Sequence, residues 1–254
     1  MGASACLVLA VSPALAADLP APPPAAPVYN WTGFYTGIHV GYGWGRTDST
    51  VLEDDNNFFP QGTVNRQNFT GLVGGGQVGL NYQTGQWVFG VEGQFSGTTI
   101  QGSNFHEAIL LANRHTETNV DLNWLVTATG RLGITSGAAL FYVKGGGAWA
   151  DFNSSTLSKV TTTGQVTAIT TGGETRSGWT VGGGVEYMLS SNVSLKGEYS
   201  FVDFGTERVD RTQVNLVTNI TQVRQRDNNT QMNIVKFGIN YRWGAVAAPV
   251  TASY

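Results

Sequence analysis

Apolar and polar residues alternate along eight segments of the chain. In the first segment Phe34, Ile38 and Val40 share one side, whereas His39 and Gly41 take the other. Successive side chains of a β-strand point to opposite faces, so this alternation predicts a strand with one apolar face. The pattern recurs in seven later segments, whose apolar positions begin at Leu72, Trp87, Val120, Phe141, Trp179, Val193 and Val235. The chain is therefore predicted to be all-β, with eight antiparallel strands.

Charged residues within these segments occupy the register opposite the apolar side chains. They are Glu92, Asp121, Arg131, Lys144, Glu186, Lys196, Glu198, Lys236 and Arg242. A soluble sandwich also alternates, so alternation alone does not identify a membrane protein. A lipid-facing Lys or Arg at mid-membrane costs about 2–4 kcal/mol, and this cost explains a single register for the charges. Arg46 and Asp203 take the apolar register, but each lies at a strand end, where a membrane interface tolerates charge.

Aromatic residues gather near the segment ends on the apolar side. This set comprises Trp44, Tyr82, Trp87, Phe141, Trp149, Trp179, Tyr187, Phe201, Tyr241 and Trp243. A transmembrane barrel carries aromatic girdles at both membrane interfaces, whereas a soluble core has no such preference. The pattern predicts a closed barrel with its apolar face towards lipid.

The connections between segments alternate in length. The short ones cover residues 83–86, 135–139 and 190–192, and the long ones cover 46–68, 97–119, 151–177 and 205–231. Short periplasmic turns and long outer loops are typical of outer-membrane barrels, so four long extracellular loops are predicted. Val214, Leu216, Thr218 and Ile220 alternate within the last of them, which indicates that the loops are partly stranded.

The two ends of the chain differ from the middle. An apolar stretch followed by Ala14-Leu15-Ala16 predicts a cleaved signal peptide over residues 1–16, and Cys6, the single cysteine, lies inside it. Residues 17–30 form a Pro-rich lead, residues 31–243 are the predicted barrel, and residues 244–254 form a C-terminal tail. No run of about 18 apolar residues occurs, which excludes a transmembrane helix and leaves a closed barrel as the way to cross a bilayer.

Four motifs resemble the porin-family outer-membrane β-barrel proteins of alphaproteobacteria. They are ALAADLP at 14–20, WTGFY at 31–35, LKGEYSFVDFG at 195–205 and VKFGINYRW at 235–243. The resemblance spans essentially the whole chain and implies a bacterial outer-membrane protein of the small surface-antigen or haemin-binding type. It also implies outer-membrane lipid and the barrel-assembly machinery as partners, and extracellular ligands at the loops. Such chains usually end on the aromatic of the last strand, whereas residues 244–254 follow Trp243 here.

Composition argues against several other functions. The chain has 14 Lys and Arg residues against 17 Asp and Glu residues, which gives a formal charge of −3. This composition provides no basic surface for nucleic acid. No H-E-x-x-H, G-x-S-x-G or P-loop spacing occurs, so no enzyme, no cofactor and no metal site is predicted.

An eight-stranded barrel has room inside for side chains and little else, so an open pore is not expected. The interior charges are instead predicted to compensate one another, because an unpaired buried charge is costly. The predicted network comprises Glu92, Arg131, Lys144, Glu186, Lys196, Glu198, Lys236 and Arg242. In an alternative hypothesis, Glu92 and Glu198 are the central carboxylates of a gate. Lys or Arg side chains change their pairing with these carboxylates and briefly open a narrow water path.

Two functions from different classes remain. The first is a structural protein of the outer membrane that displays its loops for interaction. The second is uptake, through a narrow porin or by binding haemin or another small ligand. His106 and His115 share the second long loop and are the candidate haem ligands, although two loop histidines are more often simply solvated.

Overall fold

The structure, a computed structural model, describes residues 29–54, 62, 64–107, 114–160, 163, 165–215 and 220–243. The predicted signal peptide, most of the Pro-rich lead and the C-terminal tail lie outside these residues. No helix among them is long and apolar enough to cross a membrane.

Eight strands follow one another along the chain, as the alternation predicts. They are β1 (Gly33–Asp54), β2 (Val64–Thr84), β3 (Trp87–Glu107), β4 (Arg114–Ser136), β5 (Ala139–Val160), β6 (Val166–Met188), β7 (Val193–Asn215) and β8 (Ile220–Trp243). Each strand pairs antiparallel with its neighbours in sequence. β1 also pairs with β8, from Phe34 opposite Trp243 to Asp54 opposite Arg224, and this ladder closes the barrel. The eight-stranded antiparallel barrel is confirmed.

Tight turns form one end of the barrel. Only Gly85 and Gln86 separate β2 from β3, and Gly137 and Ala138 separate β4 from β5. Gly85 has φ of 59° and Gly137 has φ of 58°, in the left-handed region that residues with a Cβ rarely adopt. These glycines explain why the chain reverses within two residues at this end, which we call the short-turn end.

The strands continue far into the four regions predicted as long loops. β1 runs on to Asp54 and β5 to Val160, although loops were predicted from residues 46 and 151. The hairpin pairing persists between Thr50 and Val64, above the predicted lipid-facing part. These segments are rich in Thr, Ser, Asn and Gln, and a ribbon with both faces in water needs no apolar alternation. The loops were predicted to be partly stranded, and the strands extend further into them than the alternation indicated.

A β-bulge in β4 corrects three further assignments. The register shifts between Leu122 and Trp124, so Asn123 is an extra residue relative to β5. An extra residue reverses which side chains face inwards beyond it. Leu122 and Val120, both predicted to face outwards, therefore face inwards. Leu122 is buried inside the barrel, and Val120 packs against the buried interior residues. Asp121, predicted to face inwards, lies on the outer side opposite Asn153.

The outer face of the barrel between its two ends is apolar, as predicted. Ile38, Val91, Val143 and Phe237 are each at least 61% exposed in the isolated chain. Side chains of the opposite register fill the interior. The described part of the interior has a polar, charged middle layer and an apolar cluster on each side of it.

Candidate functional site

The charged middle layer of the interior is the richest concentration of polar chemistry in the described residues. Glu92 on β3 is its first centre. Its carboxylate accepts hydrogen bonds from Lys196 Nζ at 3.0 Å, Lys144 Nζ at 3.2 Å, Tyr35 Oη at 2.8 Å and Gln94 Nε2 at 2.7 Å. Its side chain is fully buried. The carboxylate is therefore stabilised by several donors at once, as a buried charge requires.

Glu198 on β7 is the second centre. Lys144 Nζ lies 2.8 Å from its carboxylate, Lys236 Nζ 3.2 Å and Lys196 Nζ 3.3 Å. Tyr142 Oη donates to the same carboxylate at 2.9 Å. Lys144 and Lys196 thus each contact both Glu92 and Glu198, so the two carboxylates share their cations.

Glu186 on β6 lies towards the short-turn end of this layer. Arg131 Nη1 is 3.2 Å from one of its oxygens, and Ser194 and Asn240 donate to the other. Arg131 Nε donates to Asn81 Oδ1 at 2.8 Å. The guanidinium carbon of Arg131 also lies 4.7 Å from the ring centroid of Tyr35, close enough for a cation–π contact.

Arg242, the eighth member of the predicted network, lies outside it. Among the described residues, no carboxylate lies within 4 Å of its guanidinium nitrogens. The group instead lies 4.6 Å from the ring centroid of Trp31 and donates to the Asn30 carbonyl at 2.8 Å. Trp31 turns into the short-turn end of the barrel and is fully buried there, beside Leu140 and Met188. The alternation correctly predicted that Arg242 faces inwards, but it could not place Trp31, which precedes the first strand.

Several uncharged polar residues of this layer are not part of the predicted network, although the alternation places His39 on the inner side. His39 contacts Gln77 Oε1 through Nδ1 and Ser96 Oγ, at 2.8 Å, through Nε2. Gln77 in turn donates to Asn240, and Lys236 donates to Gln94. Uncharged side chains carry no sign of their partners in the sequence. The signal that was available is their register, which is that of the charged residues.

An apolar cluster fills the interior on the long-hairpin side of the charged layer. Its twelve buried members are Phe69, Val73, Ile100, Leu122, Leu125, Ala148, Ala150, Phe152, Val202, Phe204, Met232 and Ile234. The rings of Phe152 and Phe204 meet edge to face, with centroids 5.4 Å apart. Sequence reasoning missed this cluster because it assigned apolar residues to the outer face alone. Adjacent apolar residues such as Phe201 and Val202 were the available signal, since one of two neighbours in a strand must face inwards.

Arg176 lies beyond this apolar cluster, in a segment predicted to be loop. It is buried, forms an ion pair with Glu174, and donates to Thr230 Oγ1 at 2.8 Å. Its Nε lies 3.6 Å from Glu207, whose side chain is 48% exposed. The polar interior therefore begins again above the apolar cluster and approaches solvent there.

The ten predicted girdle residues all lie on the outer side, in two groups. Four lie towards the long hairpins: Trp44, Trp149, Trp179 and Phe201. The ring centroids of Trp179 and Phe201 are 5.6 Å apart. The remaining six lie at the short-turn end: Tyr82, Trp87, Phe141, Tyr187, Tyr241 and Trp243. On β1 Trp44 lies ten positions after Phe34, and a tilted membrane-crossing strand needs about 9–11 residues.

His106 and His115 belong to the ends of β3 and β4, where Glu107 pairs with His115 and Thr116 with His106. Their side chains lie outside the described part of the structure. Haem ligation by this pair stays a prediction. Titration of haemin against the folded protein and its double alanine variant tests it, since an unchanged Soret spectrum would exclude these ligands.

Comparison with known proteins gives the family. The model of the outer membrane protein beta-barrel domain matches residues 3–243. The 31 kDa outer-membrane immunogenic protein of Brucella melitensis is 32% identical over 241 residues, covering 91% of this chain and 93% of the relative. These two matches carry the assignment.

Two solved structures resemble the fold at low identity. The outer membrane protein OprG of Pseudomonas aeruginosa aligns with a TM-score of 0.48 and 13% identity, over 84% of this chain and 96% of its own. The outer membrane protease OmpT of Escherichia coli aligns with a TM-score of 0.46 and 10% identity, over 83% of this chain and 97% of its own. With a closed eight-stranded barrel and a matching family model, this chain belongs to the outer-membrane β-barrel protein family and is a protein of the bacterial outer membrane.

Proposed function

We propose that this protein is a non-catalytic structural component of the outer membrane that displays its long hairpins for surface interactions. The observation that carries the proposal is the filled interior. Three layers of described side chains follow one another from the short-turn end to the long hairpins. They are the apolar cluster of Trp31, Leu140 and Met188, the charged layer, and the twelve-residue apolar cluster. A solute crossing the barrel would have to displace all three.

The energetic case for a closed interior rests on the middle layer. Its carboxylates each have several donors, and separating Lys196 from Glu92 would weaken the compensation of two charges in a region without solvent. Breaking a buried pair by removing one partner costs about 3–5 kcal/mol. Spontaneous opening of the whole layer would break several such pairs and is correspondingly rare.

The absence of catalysis is part of the proposal. His39 has both ring nitrogens engaged, by Gln77 and Ser96, and is only 6% exposed. A general base needs a free nitrogen within reach of a substrate. Glu92 and Glu198 are likewise enclosed between the two apolar clusters.

Surface display is supported by the hairpins beyond the aromatic residues. β1 extends ten residues past Trp44, or about 33 Å of extended chain. The Brucella relative is named as an immunogenic outer-membrane protein, which fits a role for exposed hairpins. Extracellular ligands at these hairpins, outer-membrane lipid around the barrel and the assembly machinery during insertion are the partners in this proposal.

Planar-bilayer recording on the purified, folded protein tests the closed interior. We expect no steady conductance from the wild-type protein, and no swelling of liposomes supplied with small sugars. Heat-denatured protein in the same detergent serves as the control for leaks caused by the detergent. Stable single-channel steps, or swelling by a sugar, would contradict the closed barrel.

A narrow, gated channel is the second candidate, and one specific contact favours it. Lys144 Nζ lies 3.2 Å from Glu92 and 2.8 Å from Glu198, so it could exchange carboxylates with little movement. A channel gated by this exchange would open more often in Glu92→Ala than in the wild-type protein. The matched control is Glu174→Ala, which lies beyond the apolar cluster. Closed traces from both variants would exclude the gate.

A further inference from the structure

Four buried N–H groups at the short-turn end of the charged layer have no hydrogen-bond acceptor within the part of the chain that the structure describes. They are Trp31 Nε1, Asn81 Nδ2, Arg131 Nη2 and Arg242 Nε. All four residues are at most 4% exposed. A buried donor without an acceptor is costly, and native proteins almost always satisfy such groups. Four of them in one region indicate that an acceptor belongs there.

The four side chains form two contacting pairs, Arg131 with Asn81 and Arg242 with Trp31. Asn81 and Arg242 belong to the two strands that flank Gly33. Arg131 Nε donates to Asn81 Oδ1 at 2.8 Å, and the guanidinium of Arg242 lies over the ring of Trp31. Gly33 pairs with Asn81 across the β1–β2 ladder, and a Cβ built on Gly33 would lie 3.6 Å from Arg242 Cγ. The orphaned donors of β2 and β8 therefore flank the same glycine.

This region also carries an excess of positive charge, which an anion would compensate. Arg131 lies 3.2 Å from Glu186 and 3.9 Å from Glu92, and Glu92 is already shared with Lys144 and Lys196. The buried layer holds five cationic side chains and three carboxylates: Arg131, Lys144, Lys196, Lys236 and Arg242 against Glu92, Glu186 and Glu198. The oxygens of Glu186 already accept from Arg131, Ser194 and Asn240. The cations of the layer outnumber its carboxylates, and among the described residues Arg242 has no carboxylate within 4 Å of its guanidinium nitrogens. An uncompensated charge in a dry interior is strongly unfavourable.

We propose that this cluster is a binding site for a small monovalent inorganic anion of the chloride class. Such an anion accepts several N–H hydrogen bonds, donates none and supplies the missing negative charge. A water molecule brings two donors of its own, and the unpartnered atoms around Gly33 are all donors, so water would leave its own hydrogens unmatched. The anion holds Arg131 and Arg242 together at the end of the barrel that Trp31 covers.

Halide-dependent unfolding of the mature, folded protein in detergent tests the site. The probe is sodium chloride against sodium gluconate at equal ionic strength, because gluconate is too large for the cluster. We expect chloride to raise the midpoint of thermal unfolding by about 5 °C, since a ligand that binds only the folded state stabilises it. In Arg242→Met, which keeps an unbranched side chain but removes the guanidinium, the chloride shift should disappear. Arg176→Met, in the polar region beyond the apolar cluster, should keep it.

Crystals of the wild-type protein grown in sodium bromide give an independent measurement that needs no variant. An anomalous bromide peak within hydrogen-bonding distance of Arg131 Nη2 and Arg242 Nε supports the site. Density for water alone at this position would overturn it. So would equal midpoints in chloride and gluconate, or a chloride shift that persists in both Arg242→Met and Asn81→Leu.

Discussion

The ammonium nitrogen of Lys196 lies 3.0 Å from a carboxylate oxygen of Glu92, and neither side chain has any solvent exposure. The two residues come from β7 and β3, on different sides of the barrel, so this contact spans the interior. Each also contacts further members of the charged layer, Glu198 for Lys196 and Lys144 for Glu92. The pair is thus a link between strands that share no backbone hydrogen bonds.

Glu92→Gln should lower the free energy of unfolding by about 3–5 kcal/mol, because the cations around it would lose their compensating charge. Urea unfolding of the folded barrel in detergent, followed by tryptophan fluorescence, measures the loss. Glu207→Gln is the matched control. Its carboxylate also contacts an arginine, Arg176, but its side chain is 48% exposed, so the loss should be at most about 1 kcal/mol. Equal losses in the two variants would show that the interior is not shielded from water.

Phe152→Ala should destabilise the barrel by about 3–5 kcal/mol, because it removes a buried ring from the apolar cluster and its edge-to-face contact with Phe204. The same unfolding assay applies. Phe89→Ala is the control, since Phe89 lies on the outer face and is 49% exposed in the isolated chain. A smaller effect for Phe152 than for Phe89 would contradict an apolar layer inside the barrel.

The sequence predicted the fold because strand alternation and charge register are local properties. Lys236 must avoid lipid, whereas its neighbour Phe237 is suited to face lipid. Only one orientation of β8 places Lys236 inside and Phe237 outside. Every charged residue of the predicted interior network was assigned to the correct side for the same reason. Pairing partners were beyond prediction, because they depend on how the closed barrel brings β3, β5 and β7 together.

Failures of the sequence analysis have equally local causes. A single extra residue, Asn123, reversed the faces of Val120, Asp121 and Leu122, and nothing in the alternation identifies a bulge in advance. The long hairpins were assigned to loops because their polar residues lack an apolar face. Arg176 was hidden by that assignment, although in the structure it is a buried interior residue.

Gly205→Ala should cost about 1 kcal/mol or more, because Gly205 has φ of 66° beside the register shift in β7, where an alanine is strained. A Cβ at this position would meet no atom within 4 Å, so the cost is conformational rather than steric. Gly130→Ala is the control, since it also has open space but no left-handed φ. It should be neutral or slightly stabilising in the same urea assay, and equal losses would argue against a strained backbone at Gly205.

Val40→Arg should lower the free energy of unfolding in lipid vesicles by about 2–4 kcal/mol, because Val40 lies midway between the two aromatic groups and is 61% exposed on the outer face. Val64→Arg should change it by at most about 0.5 kcal/mol. Val64 is similarly exposed, at 53%, but pairs with Thr50 in the hairpin beyond Trp44, where water surrounds the strand. The comparison locates the membrane on the barrel, because the two positions differ mainly in their height along it. A large loss of unfolding free energy in Val64→Arg would show that lipid surrounds the hairpins. A negligible loss in Val40→Arg would show that lipid does not surround the middle of the barrel.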